Sequence, residues 1–220
     1  SWAVRSQLRF LSSMPRSERL APRRDILRLA LAGALLPLSA CDDGGWYGKD
    51  VTGLLPEMAF AMTRARDGAA VTEADYRGQV VAMFFGFTFC PDICPMTLAN
   101  LSAVLDRLGD DAEAITVLFV TVDPLRDTLP AMADYVSAFT PRAQGLRGTD
   151  NQLARLARRL KVTYRVDRPG PDKPDYAVSH GKSVYIFDAT GAARVMWPQF
   201  DTTDADIDAA TRDLRRLLSG

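Results

Sequence analysis

The sequence predicts an α/β fold in which a central mixed sheet carries helices on both faces. Apolar residues make up 47% and charged residues 25% of the 220 residues, as in ordinary globular domains. Two nearly continuous apolar runs, 79–85 and 115–122, are typical of strands buried on both faces of a sheet. Helical apolar spacing follows each run, and strands that alternate with helices have parallel neighbours.

The order of the elements fits a thioredoxin-like fold, in which a βαβ unit precedes a β-hairpin and a closing helix. The turn residues Arg66-Asp67-Gly68 separate two short strand patterns and predict an additional N-terminal hairpin. The first long helix has Pro95 in its first turn and stops at Gly109. The predicted strands are 58–63, 69–72, 79–85, 115–122, 163–166, 183–187 and 193–197, and the predicted helices are 95–109, 129–139, 151–160 and 204–218.

The first forty residues have the composition of a targeting segment. They hold seven arginines and two acidic residues, so they carry a net charge of +5 and leave −5 for the rest of the chain. The pair Arg23-Arg24 precedes an apolar run at 29–38. A run of about ten residues is too short to span a bilayer, which needs about twenty, but it suits a signal peptide.

This apolar run ends in Leu38-Ser39-Ala40-Cys41, which is similar to the lipobox of bacterial lipoproteins. The alternative is a buried helix in which Cys41 is a small core residue. We therefore expect a signal peptide over 1–40, a flexible tether over 41–54 with a lipidated Cys41, and a folded domain over 55–220. The domain would then lie on the outer face of the bacterial cytoplasmic membrane.

Overall charge and the rare residue types exclude several classes of function. Basic and acidic residues balance at 27 each, which gives no indication of a nucleic-acid partner. Three cysteines are too few for a scaffold held together by disulfides. His180 is the single histidine, so any site that needs two imidazoles from one chain is excluded.

Cys90 and Cys94 lie between the first buried strand and its helix. Residues four apart in a helical turn have Cβ atoms about 5–6 Å apart, so both sulfurs can face one small object. A helix N-terminus also favours the thiolate form. Three interpretations stay open: structural thiols or an inert disulfide, a dithiol redox couple, or a metal site that selects Cu(I) with Zn²⁺ as competitor.

His180 stands just before an apolar strand and is followed by Gly181. A lone histidine is most often a satisfied or solvated side chain. In a thioredoxin-like sheet, however, the loop that enters the late hairpin lies beside the cysteine-bearing turn. Two thiolates and an imidazole would suit Cu(I) and also admit Cu(II). A serine hydrolase is disfavoured because no Gly-x-Ser-x-Gly elbow is present.

Three motifs together resemble the Sco (SenC/PrrC) family: Gly86-Phe-Thr-Phe-Cys-Pro-Asp-Ile-Cys-Pro95, Thr121-Val-Asp-Pro-Leu-Arg-Asp-Thr128 and Asp175-Tyr-Ala-Val-Ser-His180. The resemblance implies a thioredoxin-like fold and copper bound by Cys90, Cys94 and His180. Asp123 resembles an acidic residue near the site in that family, but it could also simply cap a strand end. Ser179 replaces an aspartate that the family often has, which removes one possible hydrogen-bond partner of the imidazole.

The resemblance also implies a function, the supply of copper to the dinuclear CuA centre of cytochrome c oxidase. The expected partner is the apo oxidase subunit that holds this copper site. The alternative is a thiol–disulfide oxidoreductase that keeps the oxidase cysteines reduced, for which His180 is dispensable. We further expect Arg126 and Asp127 to form a local ion pair.

Overall fold

The computed structural model describes residues 45–167 and 176–219 of the chain. Residues 45–220 form one compact unit. The predicted signal peptide and Cys41 lie outside the described residues. Within the described ranges, no helix is both long enough and apolar enough to cross a membrane.

The described residues contain a mixed eight-stranded sheet in the order β1-β10-β9-β4-β5-β6-β2-β3 and a separate ribbon of β7 and β8. β4 pairs in parallel with β5, and β5 with β6, while the other neighbours are antiparallel. The strands are β1 Lys49–Asp50, β2 Ala61–Arg64, β3 Ala70–Thr72, β4 Val80–Gly86, β5 Ile115–Thr121, β6 Ala143–Arg147, β7 Tyr164–Val166, β8 Val178–His180, β9 Val184–Phe187 and β10 Ala193–Trp197.

Within the part of the chain that the structure describes, four α-helices accompany the sheet, and short 3₁₀ turns occupy Glu73–Tyr76 and Gly109–Ala114. The helix after Thr128 and the helix after Thr149 each start at a side-chain cap, because the threonine hydroxyl group accepts a hydrogen bond from an N–H in the first turn. The helices are α1 Ile93–Leu108, α2 Leu129–Ser137, α3 Asp150–Arg159 and α4 Ile207–Leu218.

β4 and β5 form the centre of the core, and all seven residues of each are buried. Their register runs from Val80↔Ile115 to Gly86↔Thr121, so their carboxyl ends lie side by side. Strands buried on both faces need a layer on each side of the sheet, which confirms the predicted α/β architecture. The predicted N-terminal hairpin is also confirmed, since β2 and β3 pair and extend the sheet beyond β6.

Three strands, β1, β6 and β8, were absent from the sequence prediction, and one predicted strand lies elsewhere than expected. β6 lies between α2 and α3, where only two consecutive helices were expected. The predicted strand at 163–166 appears as β7, but it pairs with the unpredicted β8 and not with the main sheet. As a result, β8 carries His180 in a small ribbon of its own.

The prediction of a flexible tether over 41–54 is wrong from residue 45 onward. β1 pairs with β10 at the sheet edge. The N–H groups of Tyr47 and Gly48 donate to the buried carboxylate of Asp213 in α4. Gly48 lies so close to β10 that a Cβ there would fall 2.5 Å from the Trp197 ring. These contacts make residues 45–51 part of the folded domain.

Candidate metal centre

Three metal-binding side chains converge where β4 and β5 end. Cys90 lies in the loop after β4, Cys94 in the first turn of α1, and His180 is the last residue of β8. The two sulfurs and an imidazole nitrogen all lie within 4.8 Å of one another. Both cysteines are free thiols. The structure therefore brings together the three residues that the sequence singled out, although Cys90 precedes the helix and does not share its first turn.

The Cys90 sulfur takes the place of a capping group at the start of α1. Asp92 stands at the N-cap position, but its side chain makes no capping hydrogen bond. The backbone N–H of Cys94 instead donates to the Cys90 sulfur at 3.4 Å. An N–H at a helix N-terminus stabilises a negatively charged acceptor. This local geometry favours a thiolate at Cys90.

The two thiols are strongly unequal. A hydrogen bond from the Cys94 side chain is the main cause that lowers the pKa of Cys90 to about 4, and backbone hydrogen bonds, including that from the Cys94 N–H, add to it against the effect of burial. The same hydrogen bond to Cys90, together with burial, raises the pKa of Cys94. At neutral pH the metal-free pair thus shares one proton, with the negative charge on Cys90.

We expect iodoacetamide to alkylate Cys90 at pH 6 nearly as fast as at pH 8. A thiol with an ordinary pKa of about 8.5 is only about 0.3% thiolate at pH 6, whereas a thiol of pKa about 4 is almost fully ionised. Peptide mass spectrometry after timed labelling measures the rate at each cysteine. In a Cys94→Ala variant, Cys90 should regain a steep dependence on pH. A tenfold rise per pH unit up to pH 8 in the unmodified protein would contradict the unequal pair.

His180 is oriented toward the sulfurs by the backbone carbonyl of the next residue, Gly181. Its Nδ1 lies 2.9 Å from the carbonyl oxygen of Gly181, and its Nε2 lies 3.5 Å from the Cys94 sulfur. An Nδ1–H that donates to a carbonyl leaves the Nε2 lone pair facing the thiols, as metal-binding histidines require. The Gly181 carbonyl thus supplies the partner that the replacement of an aspartate by Ser179 had seemed to remove. The Phe87 ring packs edge-on against the imidazole at 5.8 Å.

Gly86, the last residue of β4, makes room for Cys94. A Cβ at this position would lie 2.6 Å from the Cys94 sulfur and 2.6 Å from the ring of Phe119. Real Cβ atoms do not approach other atoms so closely. A residue without a side chain is therefore required where the strand passes under the sulfur.

Asp127 fixes the loop that leads to Cys90, and the expected ion pair between Arg126 and Asp127 is wrong. The Asp127 carboxylate is fully buried and accepts hydrogen bonds from the N–H and hydroxyl of Thr88 and from the Thr121 hydroxyl. Burial outweighs these bonds and raises its pKa. Arg126 pairs with Asp123 instead. Nothing in the local sequence pattern distinguishes the two aspartates.

Asp123 reaches the site indirectly. Its buried carboxylate accepts hydrogen bonds from Arg126 and from the hydroxyl of Tyr176, which stands two residues before β8. Burial, followed by the hydrogen bond to Asp123, raises the pKa of Tyr176 to about 12. The polar contacts of the Asp123 side chain are thus with Arg126 in its own loop and with Tyr176 in the segment that leads to β8.

The donor set fits a soft metal ion. Donor atoms around one metal, with bonds of about 2.0–2.3 Å, lie roughly 3.5–4 Å apart, and the Cys94 sulfur and His180 Nε2 are 3.5 Å apart. Thiolate donors select Cu(I) or Zn²⁺, and an added imidazole also suits Cu(II). The lowered pKa of Cys90 favours its thiolate form, the form that binds a metal, whereas Cys94 with its raised pKa must lose its proton when the metal binds.

The SCO1/SenC family model matches residues 56–219 of this chain. Among curated proteins, the mitochondrial SCO2 homolog of Bos taurus is 43% identical over 154 residues, which are 69% of this chain and 58% of that protein. The chain spans about half the length of the curated relatives it matches.

Two solved structures that resemble this one hold copper. Copper-bound ScoI of Bradyrhizobium japonicum is 32% identical with a TM-score of 0.64, covering 73% of this chain and 98% of that one. Copper-bound ScoI of Arabidopsis thaliana is 29% identical with a TM-score of 0.65, covering 74% and 98%. These likenesses agree with the thioredoxin-like arrangement predicted from the sequence. Because the family model matches residues 56–219, more than half of the chain, the chain belongs to the SCO1/SenC family.

Proposed function

We propose that this protein is a copper metallochaperone that binds one copper ion and delivers it to the CuA centre of cytochrome c oxidase. One observation carries the proposal: Cys90, Cys94 and His180 place two sulfurs and a nitrogen within 4.8 Å at the end of the central strands. The copper-bound structures of two relatives support it. Cys90 and Cys94 are the thiolate ligands, and His180 is the third.

The three ligands differ in how firmly the fold holds them, which suggests an order of release. Cys94 is fully buried in α1, and Cys90 is 7% exposed beside it. His180 belongs to a three-residue strand in a ribbon separate from the main sheet. We infer that His180 leaves first when a thiolate of the apo oxidase subunit approaches, and that the metal then passes by ligand exchange between thiolates.

A copper titration of the reduced, anaerobic protein tests the proposal. We expect one tightly bound copper, with a Cu(II)–thiolate absorption that disappears in His180→Ala. Cu(I) binding should weaken much less in that variant, because two thiolates remain. Lys182→Ala is the matched control: Lys182 is two residues from His180 in the chain, and its ion pair is with Asp201.

The second candidate is a thiol–disulfide oxidoreductase, which the free thiols and the low pKa of Cys90 favour. Cys90 would attack a partner disulfide, and Cys94 would then resolve the mixed disulfide, leaving two reduced thiols on the partner and a disulfide here. The raised pKa of Cys94 opposes that second step. Absence of tight copper, with rapid disulfide turnover unchanged in His180→Ala, would leave this function in place of the first.

We also propose that the domain is a lipoprotein on the outer face of a bacterial cytoplasmic membrane. The support is the lipobox-like sequence that ends at Cys41. Because the described domain begins by residue 45, only a few residues would then separate the lipid from the fold. Mass spectrometry of the mature N-terminus, with Cys41→Ser as the control, tests this: an N-terminus at Cys41 carrying acyl mass supports it.

A further inference from the structure

Two side chains, one at the end of β8 and one in the segment just before it, reach the cysteine-bearing part of the domain. His180 lies at the end of β8 and approaches Cys94. Tyr176 lies four residues earlier and donates its hydroxyl to Asp123, directly after β5. Four extended residues span about 13 Å. The segment that carries His180 is therefore held at both ends.

Arg126 lies at the centre of the contacts around Tyr176. Its guanidinium lies 4.0 Å from the centre of the Tyr176 ring, close enough for a strong cation–π contact. The same group lies 5.2 Å from the ring of Phe89 and 5.7 Å from that of Phe87. Both phenylalanines belong to the loop that ends at Cys90, so one guanidinium touches both halves of the site.

Asp123 links Arg126 to Tyr176 and fixes the position of both side chains. Its carboxylate is fully buried, with one oxygen bonded to Nε of Arg126 and the other to the Tyr176 hydroxyl. A buried carboxylate without donors is very unfavourable, so moving Tyr176 away would leave one oxygen without its partner. The buried charge thereby penalises any displacement of the strand that leads to His180.

We propose that Arg126, Asp123 and Tyr176 form a latch that keeps the His180 strand closed over the cysteine pair. The three are positioning residues, because their contacts hold the strand and the loop that carry the metal ligands. The inference rests on the proposed copper site and adds how that site gains or loses its nitrogen ligand. Opening the latch removes His180 and leaves the two thiolates in place.

Tyr176→Phe and Arg126→Ala test the latch, with Arg165→Ala as the control. The first removes a single oxygen atom, and the second removes the stacked cation. Arg165 lies on the other strand of the same ribbon and forms an exposed pair with Asp167, so its loss changes the ribbon away from the latch. Amide hydrogen exchange of residues 178–180 in the metal-free protein and the nitrogen hyperfine pattern of the Cu(II) form are the two measurements.

We expect exchange at residues 178–180 to rise roughly tenfold or more in both latch variants and to stay unchanged in Arg165→Ala. The share of Cu(II) with a nitrogen ligand should fall, while one Cu(I) per chain is retained. In Arg126→Lys, both the exchange rate and the share of nitrogen-ligated Cu(II) should lie between those of the unmodified protein and Arg126→Ala, because lysine keeps the charge but loses the planar stack.

An unchanged exchange rate and an unchanged nitrogen hyperfine pattern in Tyr176→Phe and Arg126→Ala would overturn the latch, even if copper binds normally. Failure of the unmodified protein to bind copper would overturn the proposed function instead, and the exchange result would still decide on the latch.

Discussion

Gly86→Ala is expected to abolish tight copper binding and to lower the stability of the protein. The added methyl group would lie 2.6 Å from both the Cys94 sulfur and the Phe119 ring, and both residues are fully buried. The sulfur must therefore move away from its position near His180. Overpacking of a filled core costs about 1–3 kcal/mol, which lowers Tm by roughly 2–4 °C per kcal/mol for a domain of this size. Copper titration and thermal unfolding measure the two effects.

A control and a double variant separate this contact from a general effect of alanine. Gly45→Ala is the control, because nothing lies within 4 Å of a Cβ at that position. In Gly86→Ala with Cys94→Ala, the methyl group no longer meets a sulfur. The combined loss of stability should therefore be smaller than the sum of the two single losses. If the stability losses of the two single variants add up to that of the double variant, the close approach to Cys94 is not the cause of the loss in Gly86→Ala.

Asp213→Ala is expected to destabilise the domain by about 3 kcal/mol or more. Asp213 lies on α4, almost fully buried, and accepts hydrogen bonds from the N–H groups of Tyr47 and Gly48 and from the Trp197 indole. Its removal leaves three donors without this acceptor, and the buried indole N–H of Trp197 alone would cost about 1–3 kcal/mol, to which a cavity in place of the carboxylate adds. Equilibrium unfolding in urea measures the change in the free energy of unfolding.

Asp213→Asn is the matched variant for this prediction. An amide keeps one acceptor oxygen in the same shape, so the loss of stability should be clearly smaller than for alanine. Limited proteolysis adds a local readout, because residues 45–48 lose their attachment in Asp213→Ala and should be cleaved first. A change in unfolding free energy below 1 kcal/mol would mean that these hydrogen bonds contribute little.

The strands that sequence reasoning located were those with a strong apolar signal. β4 and β5 read as buried runs and were found within one residue of their predicted ends. β6 was missed because Ala143–Arg147 contains glutamine, glycine and arginine. Its glycine, Gly145, is needed because a Cβ would lie about 3 Å from Met132 and Ala65. A strand selected for close packing lacks the side chains by which strands are recognised.

The candidate site shows the same division between chemistry and geometry. Cys90, Cys94 and His180 could be predicted because cysteine and histidine are rare in this chain and both have characteristic chemistry. Tyr176 and Asp127 could not, because their importance comes from contacts with Asp123 and Thr88, which are distant in the chain. A side chain that positions another residue is ordinary in type, and only the tertiary structure reveals its partner.

The two outer strands of the main sheet are very short, and this limits how the protein can associate with others. β1 has two residues and β3 has three. A long unpaired edge strand can bind a strand from a second chain through backbone hydrogen bonds, whereas a short edge strand offers few unpaired N–H and C=O groups. Encounters with other proteins must then depend on side-chain surfaces. A protein with such short edges can meet incompletely folded chains without joining them into aggregates through strand addition.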